Sequence, residues 1–129
     1  MTNTTTVLIV DDDADIREVI KIFLEADGYR VSIAADGLDA LEQLRAGLRP
    51  GLILLDLMMP RLDGEQFLIQ FRAGRFADTA VVIMSGHSAA EKKADELKAD
   101  SCLRKPVEAE ELLKTVRRFA LSASKIDVA

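Results

Sequence analysis

The segment VLIVDDD (7–13) decides the fold, because it joins an apolar run to an acidic end and a helix cap. Its four apolar residues are continuous, which is typical of a short strand buried on both faces of a parallel sheet. Three aspartates follow, and the last of them, Asp13, is placed to cap a helix. We therefore predict that the chain opens with a strand and a helix joined by an acidic turn.

Four further runs have the same character, and each starts 21 to 28 residues after the one before it. That spacing accommodates a strand, a helix and two turns. The runs are VSIA (31–34), LILL (52–55), AVVIM (80–84) and SCLR (101–104). Together with the first segment they predict five strands that alternate with helices.

Helical patterns lie between and after these runs. The apolar residues of the five predicted helices are, in chain order, Ile16, Val19, Ile20, Phe23 and Leu24; Leu38, Leu41 and Leu44; Phe67, Leu68 and Phe71; Ala90, Ala94 and Leu97; and Leu112, Leu113, Val116 and Phe119. Asp13 and Asp36 are the predicted caps of the first two helices, and Gly28 and Gly47 their predicted ends. The fourth helix is expected at about 89–98.

Five such units predict an α/β fold with right-handed crossovers and helices on both faces of the sheet. We expect a doubly wound, five-stranded parallel sheet with the order 2-1-3-4-5, which is the order of the smaller folds of this kind. A chain of 129 residues suits one core, so we expect a single domain over 1–129.

The composition excludes several classes of protein. A net charge of −5 without a basic tract argues against binding to a nucleic acid backbone. No apolar stretch approaches the ~20 residues that span a membrane, and MTNTTT (1–6) does not have the pattern of a signal peptide. The single Cys102 and the single His87 exclude an internal disulfide and a zinc site built from several cysteines or histidines. A cytoplasmic location is the simplest setting.

Polar residues end four of the five predicted strands. Asp11 and Asp12 follow the first, Asp56 the third, Ser85 the fourth and Lys105 the fifth. In open parallel sheets, ligands bind beyond the carboxyl ends of the strands, at the point where the strand order reverses. Strands one and three are neighbours at that point, so we expect the three aspartates to lie close together.

Three adjacent carboxylates repel, at about 3 kcal/mol for two charges ~5 Å apart in a medium of dielectric constant ~20. A hard divalent cation with oxygen ligands offsets this repulsion, and Mg²⁺ suits such a site. A metal, a spare carboxylate, a hydroxyl and an ammonium together fit phosphoryl transfer.

Each of these residues also has an ordinary structural explanation. The aspartate run is commonly a solvated loop with a helix cap, Asp56 can start a turn, and Ser85 and Lys105 precede residues that often end strands. The joint occurrence of these residues at successive strand ends favours a functional site over four independent coincidences.

The sequence resembles the receiver domain of bacterial two-component response regulators, in particular the stand-alone chemotaxis regulators with a flavodoxin-like fold. Four segments carry the resemblance, in the order and spacing of the family. They are VLIVDDD (7–13), LILLDLMMPRLDG (52–64), VVIMSGH (81–87) and CLRKP (102–106). The resemblance covers about residues 6–121 and implies two helices on one face of the sheet and three on the other.

The resemblance implies a role for each matching residue. Asp56 is the expected phosphoacceptor, and Lys105 is expected to pair with it or with its phosphoryl group. Asp12 and Asp56 are expected to bind Mg²⁺ directly, Asp11 through water, and Met58 through its backbone carbonyl, with Mn²⁺ as a substitute metal. Ser85 is expected to turn and donate a hydrogen bond to the phosphoryl group, and the peptide before Pro106 is usually cis in this family.

Three positions concern switching and the lifetime of the phosphoryl group. The family usually has Tyr or Phe three residues before the lysine, where this chain has Cys102. We interpret Cys102 as a small buried apolar residue, with an altered switch or a redox-sensitive thiol as the alternatives. Met58 and His87 stand at positions that tune dephosphorylation in the family, and the charge of a histidine can change near neutral pH.

The resemblance also implies partners. A sensor histidine kinase or phosphotransfer protein would contact the first helix, and a downstream protein target would read the surface formed by the fourth helix, the fifth strand and the fifth helix. The expected activity is that of a signalling switch, which catalyses only its own phosphorylation and dephosphorylation. We expect a monomer or weak dimer.

Other protein classes fit less well. GxGxxG and GxxxxGK[ST] are absent, three aspartates would repel a flavin phosphate, and a haloacid-dehalogenase-like phosphatase would need an acid where Met58 stands. The remaining alternative is a receiver-like module that signals by binding alone, without phosphorylation. The chain is also compatible with a piece of a longer regulator.

Overall fold

A computed structural model of the chain describes residues 5–57, 63–73, 79–86, 95–96 and 98–128. The strands are β1 (Thr6–Val10), β2 (Arg30–Ala34), β3 (Leu52–Asp56), β4 (Ala80–Ser85) and β5 (Ser101–Arg104). The helices are α1 (Ala14–Ala26), α2 (Gly37–Arg45), α3 (Gly64–Ala73) and α4 (Ala109–Val128). Within these ranges, no helix combines the length and the apolar character that crossing a membrane requires.

All five strands pair in parallel, in the order β2-β1-β3-β4-β5. This confirms the predicted α/β class, the doubly wound parallel sheet and the strand order. The order reverses between β1 and β3, because the chain first adds β2 on one side of β1 and then adds the remaining strands on the other. The carboxyl ends of β1 and β3 therefore lie side by side at the switch point.

The strands are buried on both faces, which explains the unbroken apolar run of β1. Val7 and Ile9 contribute to a core layer with α1 and α4, whereas Leu8 and Val10 contribute to a second layer with α2 and α3. All four side chains are fully buried. Since successive side chains of a strand point to opposite faces, a central strand between two helical layers needs apolar residues at every position.

The described helices lie two on each face of the sheet. The predicted fourth helix, at about 89–98, lies largely outside the described residues, although 95–96 are helical. The expected arrangement of two helices on one face and three on the other therefore stays a prediction.

Helix caps occur where the sequence places them. The Asp13 side chain accepts hydrogen bonds from two backbone N–H groups in the first turn of α1, at 2.9 and 3.2 Å. Asp36 caps α2 by accepting one such bond at 2.9 Å. Gly28 and Gly47 follow the ends of these helices with φ of 94° and 117°, a left-handed conformation that costs glycine little.

The apolar pattern of α1 predicts the helix correctly, but fewer of its apolar residues are buried than the pattern suggests. Ile20 and Leu24 are buried, and Ile16 packs against the core from a partly buried position. Val19 and Phe23, in contrast, are 51% and 38% exposed. The line of residues that contacts the sheet is thus narrower than the apolar pattern, and α1 presents part of that pattern to solvent.

Candidate functional site

Three carboxyl groups meet at the carboxyl ends of β1 and β3. Asp11 directly follows β1, and Asp56 is the last residue of β3, so the pairing of Val10 with Leu55 sets the two aspartates at the same level of the sheet. Asp12 joins them, and one oxygen of each carboxyl group lies within 4.8 Å of the others. Asp11 and Asp56 are buried, whereas Asp12 is exposed.

Asp11 is held on three sides. Its Oδ1 accepts a hydrogen bond from the backbone N–H of Asp13 at 2.9 Å, and its Oδ2 accepts one from Lys105 Nζ at 2.7 Å. Its backbone carbonyl accepts a third from Arg17 Nη1 at 2.7 Å. Both carboxyl oxygens of Asp11 are therefore already engaged, which distinguishes this residue from the exposed Asp12.

Lys105 reaches across the site toward β1. Its Nζ lies 2.7 Å from Asp11 Oδ2 and 3.4 Å from Asp56 Oδ2. The resemblance implies pairing with Asp56, but the shorter contact is to Asp11. Both carboxylates are buried, and a buried carboxylate is costly unless a cation and hydrogen bonds compensate it, so Lys105 serves both of them from one position.

The pKa of Lys105 reflects two opposing effects. Burial of the ammonium lowers its pKa, but the hydrogen bond and charge of Asp11, together with Asp56, outweigh burial and raise the pKa above its ordinary value. Lys105 therefore carries its positive charge throughout the neutral range.

Ser85 and Cys102 lie on the two strands beyond Asp56. Ser85 is the last residue of β4 and is buried, and its backbone carbonyl accepts a hydrogen bond from the Lys105 N–H at 3.0 Å. This bond holds the start of the β5–α4 connection against the end of β4. The peptide between Lys105 and Pro106 is cis. Cys102 is partly buried on the edge strand β5, opposite Ile83 of β4.

The donor set suits a hard divalent cation. Three carboxyl groups against one ammonium leave two formal negative charges at the site. The available ligands are oxygen atoms, which Mg²⁺ and Mn²⁺ prefer, and the exposed Asp12 leaves one side open to solvent water. The residues present therefore fit the metal that the sequence predicts.

Two predicted site residues, Met58 and His87, lie outside the described residues. Their expected roles in metal binding and in tuning the phosphoryl lifetime stay predictions.

Sequence reasoning missed two residues next to this site. Nothing in the pattern indicates that Arg17 would bind the Asp11 carbonyl, since this contact depends on how α1 leaves the turn. Gly64 is the first residue of α3, and it lies against the backbone of Asp56. A glycine at the start of a helix, where it is a poor helix former, is a signal that could have indicated this close approach.

Comparison with known families identifies the domain. The family model described as the response regulator receiver domain matches residues 7–117. This span contains all five strands except the first residue of β1, and it contains all of the predicted site residues.

Curated relatives agree with the family match. The chain is 36% identical over 125 residues to "Response regulator MprA" of Mycobacterium tuberculosis, covering 95% of this chain and 54% of the relative. It is 40% identical over 112 residues to the protein of the same name from Mycobacterium ulcerans, covering 86% of this chain and 48% of the relative. The chain thus spans about half the length of the curated relatives it matches.

Solved structures extend the likeness to the fold. The chemotaxis protein CheY4 of Vibrio cholerae superposes with a TM-score of 0.82 at 33% identity, covering 90% of this chain and 98% of that one. A putative response regulator from Chloroflexus aurantiacus superposes with a TM-score of 0.85 at 30% identity, covering 92% and 98%. On the family match, the relatives and the shared fold, this chain belongs to the receiver domain family of two-component response regulators.

Proposed function

We propose that this receiver is a phosphorylation-dependent switch in which Asp56 accepts a phosphoryl group, with Mg²⁺, from a sensor histidine kinase or phosphotransfer protein. The observation that carries the proposal is the cluster of Asp11, Asp12 and Asp56 oxygens within 4.8 Å, with the Lys105 ammonium beside it. This combination supplies a nucleophile, a cation site and a fixed positive charge at one edge of the sheet.

The contacts of the three aspartates support different roles in metal binding. Asp12 is exposed and Asp56 is the last residue of β3, and the resemblance assigns both as direct ligands, so these two are the proposed direct ligands. Asp11 already accepts hydrogen bonds at both oxygens, which suits a contact through water. Met58 is the proposed backbone ligand on the strength of the family resemblance. When bound, Mg²⁺ neutralises phosphoryl oxygens.

The transfer step uses groups of this chain. A carboxylate oxygen of Asp56 forms a bond to phosphorus while the phosphorus–nitrogen bond to the donor histidine breaks, and the leaving imidazole keeps the electron pair. Lys105 supplies a permanent positive charge to the phosphoryl oxygens, as the raised pKa of its ammonium supports. The Ser85 hydroxyl, at the end of the neighbouring strand, is proposed to donate a hydrogen bond to them.

Two residues are proposed to tune the switch. Cys102 stands on β5 where the family usually has an aromatic residue. We therefore expect the part that this aromatic residue plays in switching to be weakened or taken over by another group. His87 is proposed to alter the lifetime of the phosphoryl group through its protonation, and Met58 through its side chain. If Cys102→Tyr changed neither partner binding nor the response to phosphorylation, the first of these proposals would be wrong.

The proposed partners use two surfaces. The donor protein would contact α1. The exposed apolar residues Val19, Ile22 and Phe23 of this helix offer a docking face for an apolar helix surface of the donor protein. The downstream target would bind a surface formed by β5, by α4, which is the fifth helix predicted from the sequence, and by the helix predicted at about 89–98. We propose that this exchange takes place in the cytoplasm and that the chain acts as a monomer or weak dimer.

Phosphorylation of Asp56 is tested by intact-mass analysis after incubation with a small phosphodonor and Mg²⁺. The wild type should gain the mass of one phosphoryl group, and Asp56→Asn should gain none. Asp63→Asn is the matched control, because Asp63 lies at the start of α3, where its side chain caps the helix, and asparagine caps as well as aspartate.

The outcomes separate the two candidate functions. Phosphorylation that depends on both Mg²⁺ and Asp56 supports the switch. A wild type that gains no phosphoryl group from the small donor, yet still binds a partner, would favour the alternative of a receiver-like module that signals by binding alone.

A further inference from the structure

The start of α3 lies unusually close to the backbone of Asp56. A Cβ atom added at Gly64 would lie 2.5 Å from the backbone oxygen of Asp56 and 2.7 Å from Cα of Leu57. Both neighbours are backbone atoms, which cannot rotate away as the end of a flexible side chain could. The Gly64 N–H also donates to the Leu57 carbonyl at 3.1 Å. The end of β3 and the start of α3 are thus in direct main-chain contact.

We infer that Gly64 is a positioning residue for Asp56: the absence of a side chain at residue 64 lets α3 press against the Asp56 carbonyl and set the place of its carboxyl group. This inference rests on the proposed function, since it assigns a residue to the same site. It also goes beyond that function, because Gly64 offers no ligand and no side chain to the chemistry.

The geometry of the site explains why a small displacement matters. Asp56 Oδ2 lies 3.4 Å from Lys105 Nζ, and its carboxyl group shares a 4.8 Å cluster with Asp11 and Asp12. An added Cβ at Gly64 needs roughly 3.4 Å to reach ordinary van der Waals contact, so the Asp56 backbone or α3 must move by about 1 Å. A displacement of that size is large enough to disturb the positions of catalytic or metal-binding groups.

Two other glycines provide matched controls. Gly86 directly follows Ser85 at the same edge of the sheet, but a Cβ there would meet nothing within 4 Å. Gly47 has a φ of 117° and open space around it, so alanine there strains the backbone far from the site. Gly86 therefore tests closeness to the site, Gly47 tests backbone strain, and Gly64 tests direct contact with Asp56.

The experiment compares Gly64→Ala, Gly86→Ala and Gly47→Ala with the wild type. We measure the Mg²⁺ dissociation constant, the rate of phosphorylation by a small phosphodonor and the urea unfolding curve. Gly64→Ala should weaken Mg²⁺ binding and slow phosphorylation by at least tenfold each. Gly86→Ala should change either by less than threefold, and Gly47→Ala should lower the urea midpoint with both site properties unchanged.

A wild type that binds no Mg²⁺ and gains no phosphoryl group would overturn the proposed function. A wild type that does both, with Gly64→Ala indistinguishable from Gly86→Ala, would overturn only the inference about Gly64.

A measurement on the wild type keeps the inference testable if Gly64→Ala does not fold. Amide hydrogen exchange is followed at Gly64 and at Gly47, whose N–H groups donate to backbone carbonyls at 3.1 and 3.2 Å. If Gly64 is coupled to Asp56, Mg²⁺ should slow exchange at Gly64 by at least threefold more than at Gly47. Equal effects at the two amides would contradict the inference, because they would report only a general gain in stability.

Discussion

Two ion pairs of this receiver have almost the same length and very different surroundings. Lys105 Nζ lies 2.7 Å from Asp11 Oδ2 at the site, and Arg117 Nη2 of α4 lies 2.8 Å from Asp27 Oδ1 at the end of α1. The Asp11 side chain is fully buried and that of Lys105 is 21% exposed, whereas the Arg117 side chain is 57% exposed. Contact distance alone therefore does not indicate what an ion pair contributes.

Solvent explains the difference. An exposed pair replaces water contacts of similar strength and is screened by salt, so its net contribution is small even when, as here, two hydrogen bonds form. A buried carboxylate has no such replacement, and removal of its partner leaves an uncompensated charge. We therefore expect loss of the site pair to cost more stability than loss of the surface pair, which joins two helices.

Replacing Lys105 should give the largest change in stability. Lys105→Met keeps most of the side-chain length but leaves three carboxyl groups without their cation, so the free energy of unfolding without divalent metal should fall by about 2–4 kcal/mol. Urea unfolding with a chelator measures this loss. Added Mg²⁺ should then stabilise the variant more than it stabilises the wild type, because the metal supplies the missing positive charge.

The exposed Lys114 on α4 provides the control. Lys114→Met should change the unfolding free energy by less than about 0.5 kcal/mol. A similar loss in both variants would mean that burial does not distinguish the Lys105 pair.

Removing the Asp12 charge should have a smaller effect of opposite sign. Asp12→Asn relieves repulsion within the cluster, and because Asp12 is exposed and screened, the gain in unfolding free energy without metal should be about 1 kcal/mol. The stabilisation by Mg²⁺ should largely disappear. Urea unfolding with and without Mg²⁺ measures both effects.

Asp13→Asn is the matched change for Asp12, because Asp13 is the adjacent acid and asparagine retains its cap on α1. This variant should keep the full response to Mg²⁺. If it lost that response as Asp12→Asn does, the separation of the aspartate run into metal ligands and a helix cap would be wrong.

The surface pair should give the smallest change, with a distinctive dependence on pH. The side-chain hydrogen bond from Arg117 lowers the pKa of Asp27; burial opposes this lowering, and the positive charge of Arg117 adds to it. A lowered folded-state pKa means that the pair stabilises the protein above the unfolded-state pKa and loses this contribution as the pH falls through the folded-state value.

Arg117→Gln should therefore be slightly less stable than the wild type at pH 7, and the difference should shrink and then vanish as the pH falls through the lowered folded-state pKa of Asp27. Urea midpoints measured across that range, at low and high salt, test this expectation. A difference that persisted in acid or at high salt would indicate that Arg117 acts through packing rather than through its charge.

Much of the fold was predictable because each strand is encoded locally. A strand between two helical layers needs an apolar residue at every position, which the continuous run VLIV (7–10) provides. The spacing between successive runs leaves room for one helix. The caps Asp13 and Asp36 were predictable because a cap acts within its own turn. Helix burial was less predictable, as the exposure of Val19 and Phe23 shows, because it depends on the width of the contact with the sheet.

The approach of Asp11, Asp12 and Asp56 could be anticipated from strand order, since the carboxyl ends of neighbouring parallel strands meet at one edge. The choice of Lys105 between Asp11 and Asp56 could not, because it depends on the path of a long side chain across two strands. The contact of Gly64 with the Asp56 carbonyl could not be anticipated either, because it joins two backbone segments that only the tertiary structure brings together.

By itself, then, the sequence determined the class of fold and the identity of the groups at the edge of the sheet, while the strand order was expected from what is usual in small folds of this class. The first two properties follow from local periodicity and from the position of polar residues relative to apolar runs. Only the tertiary structure decided which carboxyl groups of the cluster are buried, which one the Lys105 ammonium contacts most closely, and how α3 packs against Asp56. These depend on distances of a few tenths of an ångström between segments far apart in the chain, which no local pattern encodes.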